Sequence, residues 1–375
     1  MNDKSLGAVV AAPGQGRLGR PWLVADIGGT NARFGWMAET GEEVQHVVTL
    51  HCAGHSGPAS AAREYLAGLQ RTLGSAYRAP RAAAFAVATA VAGDRISFTN
   101  SGWSFSRQAT QGELGLDELL ILNDFEALAL SLPRLRPAQL TPVGDTPATA
   151  ASGALAVIGP GTGLGVAGIM PTARGWVAIP GEGGHATLAP VDDHESALLA
   201  AVRREHCHVS AERLLSGIGL PVLHEAEAAV AGLAHEPLTA QTIVQRGLAL
   251  DDALCSRTLD DFCALLGSFS GNVALTLGAR GGVYIGGGIV PRLGPRFFES
   301  RFRERFEAKG RFQAYLQAIP TALITDTLAA LTGAALDRGL SLRPGARLWF
   351  CQRAGRSGPA TGHPGAGAAG LQRGR

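Results

Sequence analysis

The sequence predicts an α/β fold of two units, and three observations carry that reading. Residues 23–36, LVADIGGTNARFGW, run from an apolar segment through a Gly-Gly-Thr-Asn turn into a second segment with apolar positions, the pattern of two strands in a hairpin. The same order of strand, glycine turn and strand returns at 154–170 as ALAVIGPGTGLGVAGIM. Between the two, DELLILNDFEALALSLP at 117–133 reads as a buried strand over 119–122 that enters a helix near Asp124 and stops at Pro133.

The elements follow in order. Residues 1–20 are rich in Gly, lack the small-residue cleavage pattern of an export signal and read as a flexible tail. After the first hairpin, AAAFAVATAV (82–91) and RISFTN (95–100) suggest a strand pair divided at Gly93-Asp94. With 117–133 they make a small α/β domain, 21–135. RPAQLTPVGDTPATAASG (136–153) reads as a linker at the head of a large domain, 136–325. That domain continues through the PGEGGH loop (180–185), helices including LDDFCALLGSFSGNVALTLGA (259–279), the strand GGVYI (281–285) and one amphipathic stretch, RFFESRFRERFEAKG (296–310). A helix over 326–341 completes the small domain, and 343–375, dominated by Arg, Gly, Pro and Ala, reads as a disordered tail.

Composition narrows the function. At 375 residues with 46% hydrophobic and 17% charged side chains, the chain has the make-up of a globular protein with a sizeable core. A formal charge of +2 gives no electrostatic footprint for nucleic acid. Two long uncharged stretches are poor membrane spans: 153–173 is broken by Gly and Pro, and 262–279 carries Ser268, Ser270, Asn272 and Thr276. Five irregularly spaced cysteines suggest neither a disulfide framework nor a zinc module, so the cytoplasm is the expected compartment. Only Lys4 and Lys309 are lysines, which excludes a P-loop and the strand lysine of protein kinases.

Three glycine loops follow apolar strands, at Asp26–Asn31, 159–165 and 286–288. Converging backbone N–H groups and a threonine hydroxyl can cradle a phosphate without a lysine. Read singly, each loop is as well explained as a tight turn; three together, two with Gly-Thr, point to a ligand. GLGVAG (163–168) formally fits a dinucleotide fingerprint, but Pro171 leaves no room for the helix that fingerprint must open.

ADIGGTNARFG, LNDFEALA, GPGTGLG, PGEGGH, ERLLSG and GGVYIGGGIVPR occur in the order found in the bacterial glucokinase family, and residues 21–340 are similar to it. The resemblance implies the two-domain actin-like ATPase fold (ribonuclease H-like) with a central cleft, shared with hexokinase, actin and Hsp70. It implies ATP-dependent phosphorylation of glucose, with ATP and Mg²⁺ as cofactors, and no nucleic-acid or membrane partner. The Cys-x-Cys-Gly cluster of the repressor-type (ROK) sugar kinases is missing, which implies the other branch and no structural zinc. The family is often dimeric, so a homodimer stays open.

Carried over residue by residue, the resemblance makes Asp124 the catalytic base, although a residue between strand and helix is by itself more readily an N-cap. The positive potential of a helix start is expected to keep it ionised. Asn123, Glu182, His185 and Glu212 are implied to bind sugar hydroxyls; carboxylate acceptors suit a polyol. Asp26 is implied to sit near Mg²⁺ through water. Gly28, Gly29, Thr30 and Asn31, with Gly161, Thr162 and Gly163, are implied to hold phosphates, and Gly286, Gly287 and Gly288 to face adenosine. The run His206, Cys207, His208 is not read as a metal site, because adjacent residues converge poorly on one ion. Two alternatives remain: a hexose kinase of different sugar preference, and a sugar-binding regulator without turnover.

Overall fold

The computed structural model describes residues 21–38, 43–98, 102–146, 153–173 and 175–334. Both expected tails lie outside these. The first sheet holds β1 (Trp22–Ile27), β2 (Asn31–Met37), β3 (Gln45–His51), β4 (Ala82–Val87) and, beyond a small ribbon of β5 (Arg95–Ser97) and β6 (Ser104–Ser106), β7 (Glu118–Asn123). Their order is β3-β2-β1-β4-β7, with β1 antiparallel to β2 and parallel to β4, and β4 parallel to β7. The second sheet joins β8 (Leu140–Pro142), β9 (Leu155–Pro160), β10 (Leu164–Thr172), β11 (Gly175–Ile179), β12 (Gly282–Ile285) and β13 (Thr321–Ile324) in the order β11-β10-β9-β12-β13-β8. Apart from the added edge strand β8, the second sheet repeats the first.

Helix α1 (Pro58–Leu73) covers the outer face of the first sheet and α2 (Arg107–Glu113) leads into β7. Helix α3 (Asp124–Ser131) leaves β7 directly and packs against β9, β10 and β11 of the second sheet. The outer face of the second sheet carries α4 (Asp193–Val202), α5 (Gly219–Ala231), α6 (Ala240–Ala249) and α7 (Ala253–Leu277). Five short helices follow: α8 (Val290–Leu293), α9 (Pro295–Glu299), α10 (Phe302–Glu307), α11 (Gln313–Gln317) and α12 (Ala329–Ala334). Helix α12 lies on α3, β1 and β4.

Three apolar cores result. One lies under α1 around Phe34, Tyr65 and Phe85, and one lies between the second sheet and α4–α7 around Phe262, Phe297, Phe302 and Phe306. The third joins the sheets through α3 and α12, packing Val24, Ala84 and Ala127 with Val157, Ala167 and Leu331. Among the described residues no helix is long and apolar enough to cross a membrane.

Three expectations fail for tertiary reasons. RISFTN does not return along β4, because both edges of β4 are taken by β1 and β7; its strand β5 pairs instead with β6, Arg95 opposite Ser106. The supposed linker 136–153 contributes β8, which closes the edge of the second sheet against β13. The amphipathic stretch at 296–310 breaks into α9 and α10 around Ser300, whose hydroxyl donates to the Phe297 carbonyl at 2.6 Å.

Candidate active site

The β1–β2 turn closes on itself: the Gly28 N–H donates to the Asn31 carbonyl at 2.9 Å. Cys52 steadies it from β3's end, its N–H on the Thr30 carbonyl at 2.8 Å and its thiol on the Gly28 carbonyl at 3.4 Å. Thr30 and Asn31 are exposed. Asp26, the last but one residue of β1, is half-buried, and burial raises its pKa against the pull of Arg33, whose Nη1 is 3.8 Å away.

The equivalent β9–β10 turn, Gly161–Thr162–Gly163, is closed by the Gly161 N–H on the Gly163 carbonyl at 2.8 Å. It is held by the segment before α5: the Gly217 N–H donates to the Gly161 carbonyl at 2.8 Å, and the Leu164 N–H donates to Oε2 of Glu212 at 2.8 Å. At Gly163 a Cβ would press on Oε2 of Glu212, so a larger residue would displace the oxygen that anchors the turn. The third loop leaves β12 with Gly286 buried and Gly287 and Gly288 exposed; Gly287 has φ 76°, where a side chain would be strained and would press on Pro160.

At the end of β7, Asn123 is the N-cap of α3: its Oδ1 accepts the Phe125 N–H at 2.9 Å and the Glu126 N–H at 3.4 Å, and its Nδ2 donates to the Thr89 carbonyl at 3.3 Å. That leaves Asp124 as the first helical residue, so the simple cap reading of Asp124 is replaced. Its Oδ1 takes only a share of the Phe125 N–H, at 2.9 Å. The expectation that the helix start keeps Asp124 ionised is also corrected. Burial, then the negative charges of Asp26 and Glu182, push its pKa up to about 7, outweighing the N–H bonds. Three carboxylates therefore converge on the gap between the two hairpins.

Glu182 and His185 are exposed on the loop after β11. His185 Nδ1 lies 3.8 Å from Oε1 of Glu212, so the carboxylate that anchors the Gly-Thr turn with one oxygen turns the other toward the histidine. The structure thus gathers Asp26, Asp124, Glu182, His185 and Glu212, whereas Asn123 spends most of its hydrogen-bonding capacity on the backbone. His208 bonds Thr187 Oγ1 at 3.1 Å, and Cys207 is exposed and free. Sequence reasoning missed Phe125. Its ring fills the space above Gly159 and Gly165, where any Cβ would overlap it, and so wedges the residue after Asp124 into the second hairpin. The signal was present as the glycines flanking the Gly-Thr turn.

Two similar α/β halves, glycine hairpins facing each other and acidic groups between them define a kinase of the actin-like fold. A family profile described as Glucokinase matches residues 23–338, and the chain belongs to that family. It is 48% identical over 324 residues to the glucokinase of Chromobacterium violaceum, covering 86% of this chain and 91% of that one. It is 47% identical to that of Aromatoleum aromaticum, with 86% and 96% covered. It is also 45% identical to the bifunctional protein glk of Paraburkholderia xenovorans, of which it spans 52%. Among solved structures, a glucokinase from an Antarctic psychrotroph superposes with a TM-score of 0.77 at 37% identity, covering 84% of this chain and 98% of that one. The glucokinase of Leishmania braziliensis, at 18% identity, shares the fold with a TM-score of 0.69 over 86% and 94%.

Proposed function

We propose that the protein is an ATP-dependent glucokinase that converts D-glucose to glucose 6-phosphate. The observation that carries the reading is the position of Asp124 between the two glycine hairpins, with a carboxylate held near neutrality by burial and by Asp26 and Glu182. A base of pKa about 7 is deprotonated in a large fraction of molecules at neutral pH, yet basic enough to accept the proton of a sugar hydroxyl. Asp124 is that base. Glu182, His185 and the free oxygen of Glu212 accept or donate to the other hydroxyls, with the remaining amide hydrogen of Asn123 assisting, and hold the reacting hydroxyl in line.

The turns Gly28–Asn31 and Gly161–Gly163 take the phosphates on backbone N–H groups and the Thr30 and Thr162 hydroxyls, while Gly286, Gly287 and Gly288 lie along the adenosine. Hard carboxylate oxygens crowded between phosphate loops suit Mg²⁺, with Asp26 its holder through water. When bound, Mg²⁺ neutralises charge on the transferring phosphate. The solved ROK glucokinase of Streptomyces griseus, which shares the fold with a TM-score of 0.52, contains glucose and AMPPNP, which supports a sugar and a nucleotide as the two ligands. The protein works in the cytoplasm, where ATP is supplied.

A coupled assay of sugar phosphorylation with glucose, mannose, fructose and N-acetylglucosamine, each against ATP, ADP and polyphosphate, tests the reading. The highest kcat/KM is expected for glucose with MgATP. Tight glucose binding without turnover by any donor would turn the assignment to a sugar sensor.

A further inference from the structure

Three helices of the second lobe each present one ligating group to a common point outside the site described above. His194 on α4 places Nε2 3.1 Å from Oε1 of Glu227 on α5 and 3.1 Å from Oδ2 of Asp261 on α7. All three atoms lie within 4.8 Å of one another. Nε2 carries at most one hydrogen and faces two carboxylates, so the cluster closes only with a further proton shared between Glu227 and Asp261 or with a cation in that proton's place. One of them is deeply buried, the Glu227 side chain being 2% exposed. Among the described residues no arginine or lysine is within ion-pair distance of Glu227 or Asp261. Arg305, reaching α4 from α10, is committed to Asp192 at 3.1 Å and to Glu195. Among the described residues the buried Glu227 carboxylate has a shared imidazole as its cationic partner, an arrangement that a bound proton or a bound cation would relieve.

We propose that His194, Glu227 and Asp261 form a site for a divalent transition-metal ion of the zinc class, built from other residues than the Cys-x-Cys-Gly cluster and revising the expectation of no structural zinc. Ligands at about 2.0–2.2 Å from zinc stand roughly 3.3–3.5 Å apart at tetrahedral angles, so the two His194 separations of 3.1 Å need widen only slightly, with the Glu227 and Asp261 oxygens within 4.8 Å of one another. One imidazole nitrogen with two carboxylate oxygens is a borderline-to-hard donor set, suited to Zn²⁺ or Co²⁺ and not to soft Cu(I). His194, with its side chain 44% exposed, marks the entry side and leaves the fourth position to water. The ion clamps α4, which follows the Glu182–His185 loop, to α5, which follows the Glu212 segment, and both to α7. It is a structural staple beneath the sugar-facing segments, distinct from the Mg²⁺ that accompanies ATP.

The test uses the full chain stripped with a chelator and dialysed against Zn²⁺. Wild type is expected to retain about one equivalent and to melt at a higher temperature with the ion than without it. Co²⁺ in its place should give a visible d–d absorption band, a readout that needs no variant. Asp261→Ala and His194→Gln, at partly exposed positions, should each weaken Zn²⁺ binding by at least ~10-fold and abolish the band. Absence of zinc and of the band in wild type overturns the proposal. So does retention that survives both substitutions but is lost in Cys207→Ser, which would assign the ion to the exposed His206–His208 run. Glucose phosphorylation can fail or succeed independently of each of these outcomes.

Discussion

The two hairpins occupy the same place in their sheets and carry the same strand, glycine and threonine signal, yet their glycines answer different demands. At Gly28 a Cβ would meet nothing nearer than the Asn31 carbonyl oxygen at 3.6 Å. At Gly159, Gly163 and Gly165 it would run into Phe125 or Glu212. The first turn is open and held by its own backbone and Cys52; the second is filled from outside. A glycine motif can therefore mean access for a ligand in one lobe and close packing of the protein on itself in the other.

The largest expected effect falls on the residue that looks toward both turns. Asp124→Asn should lower kcat by about 10² to 10⁴, or roughly 3 to 5 kcal/mol in the barrier, with glucose affinity by calorimetry falling far less. More than about a tenth of wild-type kcat remaining would remove Asp124 from the role of base. Because the base must be deprotonated, wild-type kcat/KM should drop as pH falls below about 7.

Next comes the filled turn. Gly165→Ala should cost about 2–3 kcal/mol in urea unfolding through overpacking against Phe125, and Phe125→Leu in the same chain should recover part of it. The loop proposed to hold the sugar follows: Glu182→Ala and His185→Ala should raise the glucose KM about tenfold or more and the ATP KM much less, since each would remove a proposed polar contact to the sugar. Equal rises for both substrates would move that loop to the nucleotide.

The open turn should be the mirror image of the filled one. Gly28→Ala is expected to change stability by less than about 1 kcal/mol while raising the ATP KM. A loss as large as that of Gly165→Ala would erase the contrast between the turns. Acid sensitivity of folding, finally, should belong to neither turn but to His224, 2% exposed with both ring nitrogens unpartnered. Burial lowers its pKa in the folded chain, so below about 6.5 the unfolded chain gains protons first and stability falls with pH. His224→Leu should flatten that fall in melting temperature between pH 7 and 5.

What the sequence showed and what it hid divide along chain distance. Both hairpins and β7 running into α3 were legible, because each is announced by local pattern; the choice of Asp26, Asp124, Glu182, His185 and Glu212 came from the family motifs alone. The pairing of β5 with β6 was not, since it depends on β4 having both edges occupied. The break between α9 and α10 was hidden for a similar reason: α10 crosses α7 at Gly267, where a Cβ would overlap the Phe302 carbonyl, and no amphipathic pattern reports that crossing. The ionisation of Asp124 was misjudged because the helix start is written in the sequence while the burial of the carboxyl and the approach of Asp26 and Glu182 are not.

The Phe125 wedge also sets the rules for changing this protein by design. Positions 125, 159 and 165 behave as a lock whose parts come from two motifs more than thirty residues apart in the chain. A library that randomises the loop 159–165 alone will lose most of its members to misfolding at the two glycines, whatever they do for the nucleotide. Randomised together with position 125, the same loop has room to exchange a large ring over two bare backbones for a smaller side chain over larger neighbours. Donor specificity is therefore searchable here only in combinations that preserve the filled volume, and a recombination point placed between 125 and 159 would separate key from lock.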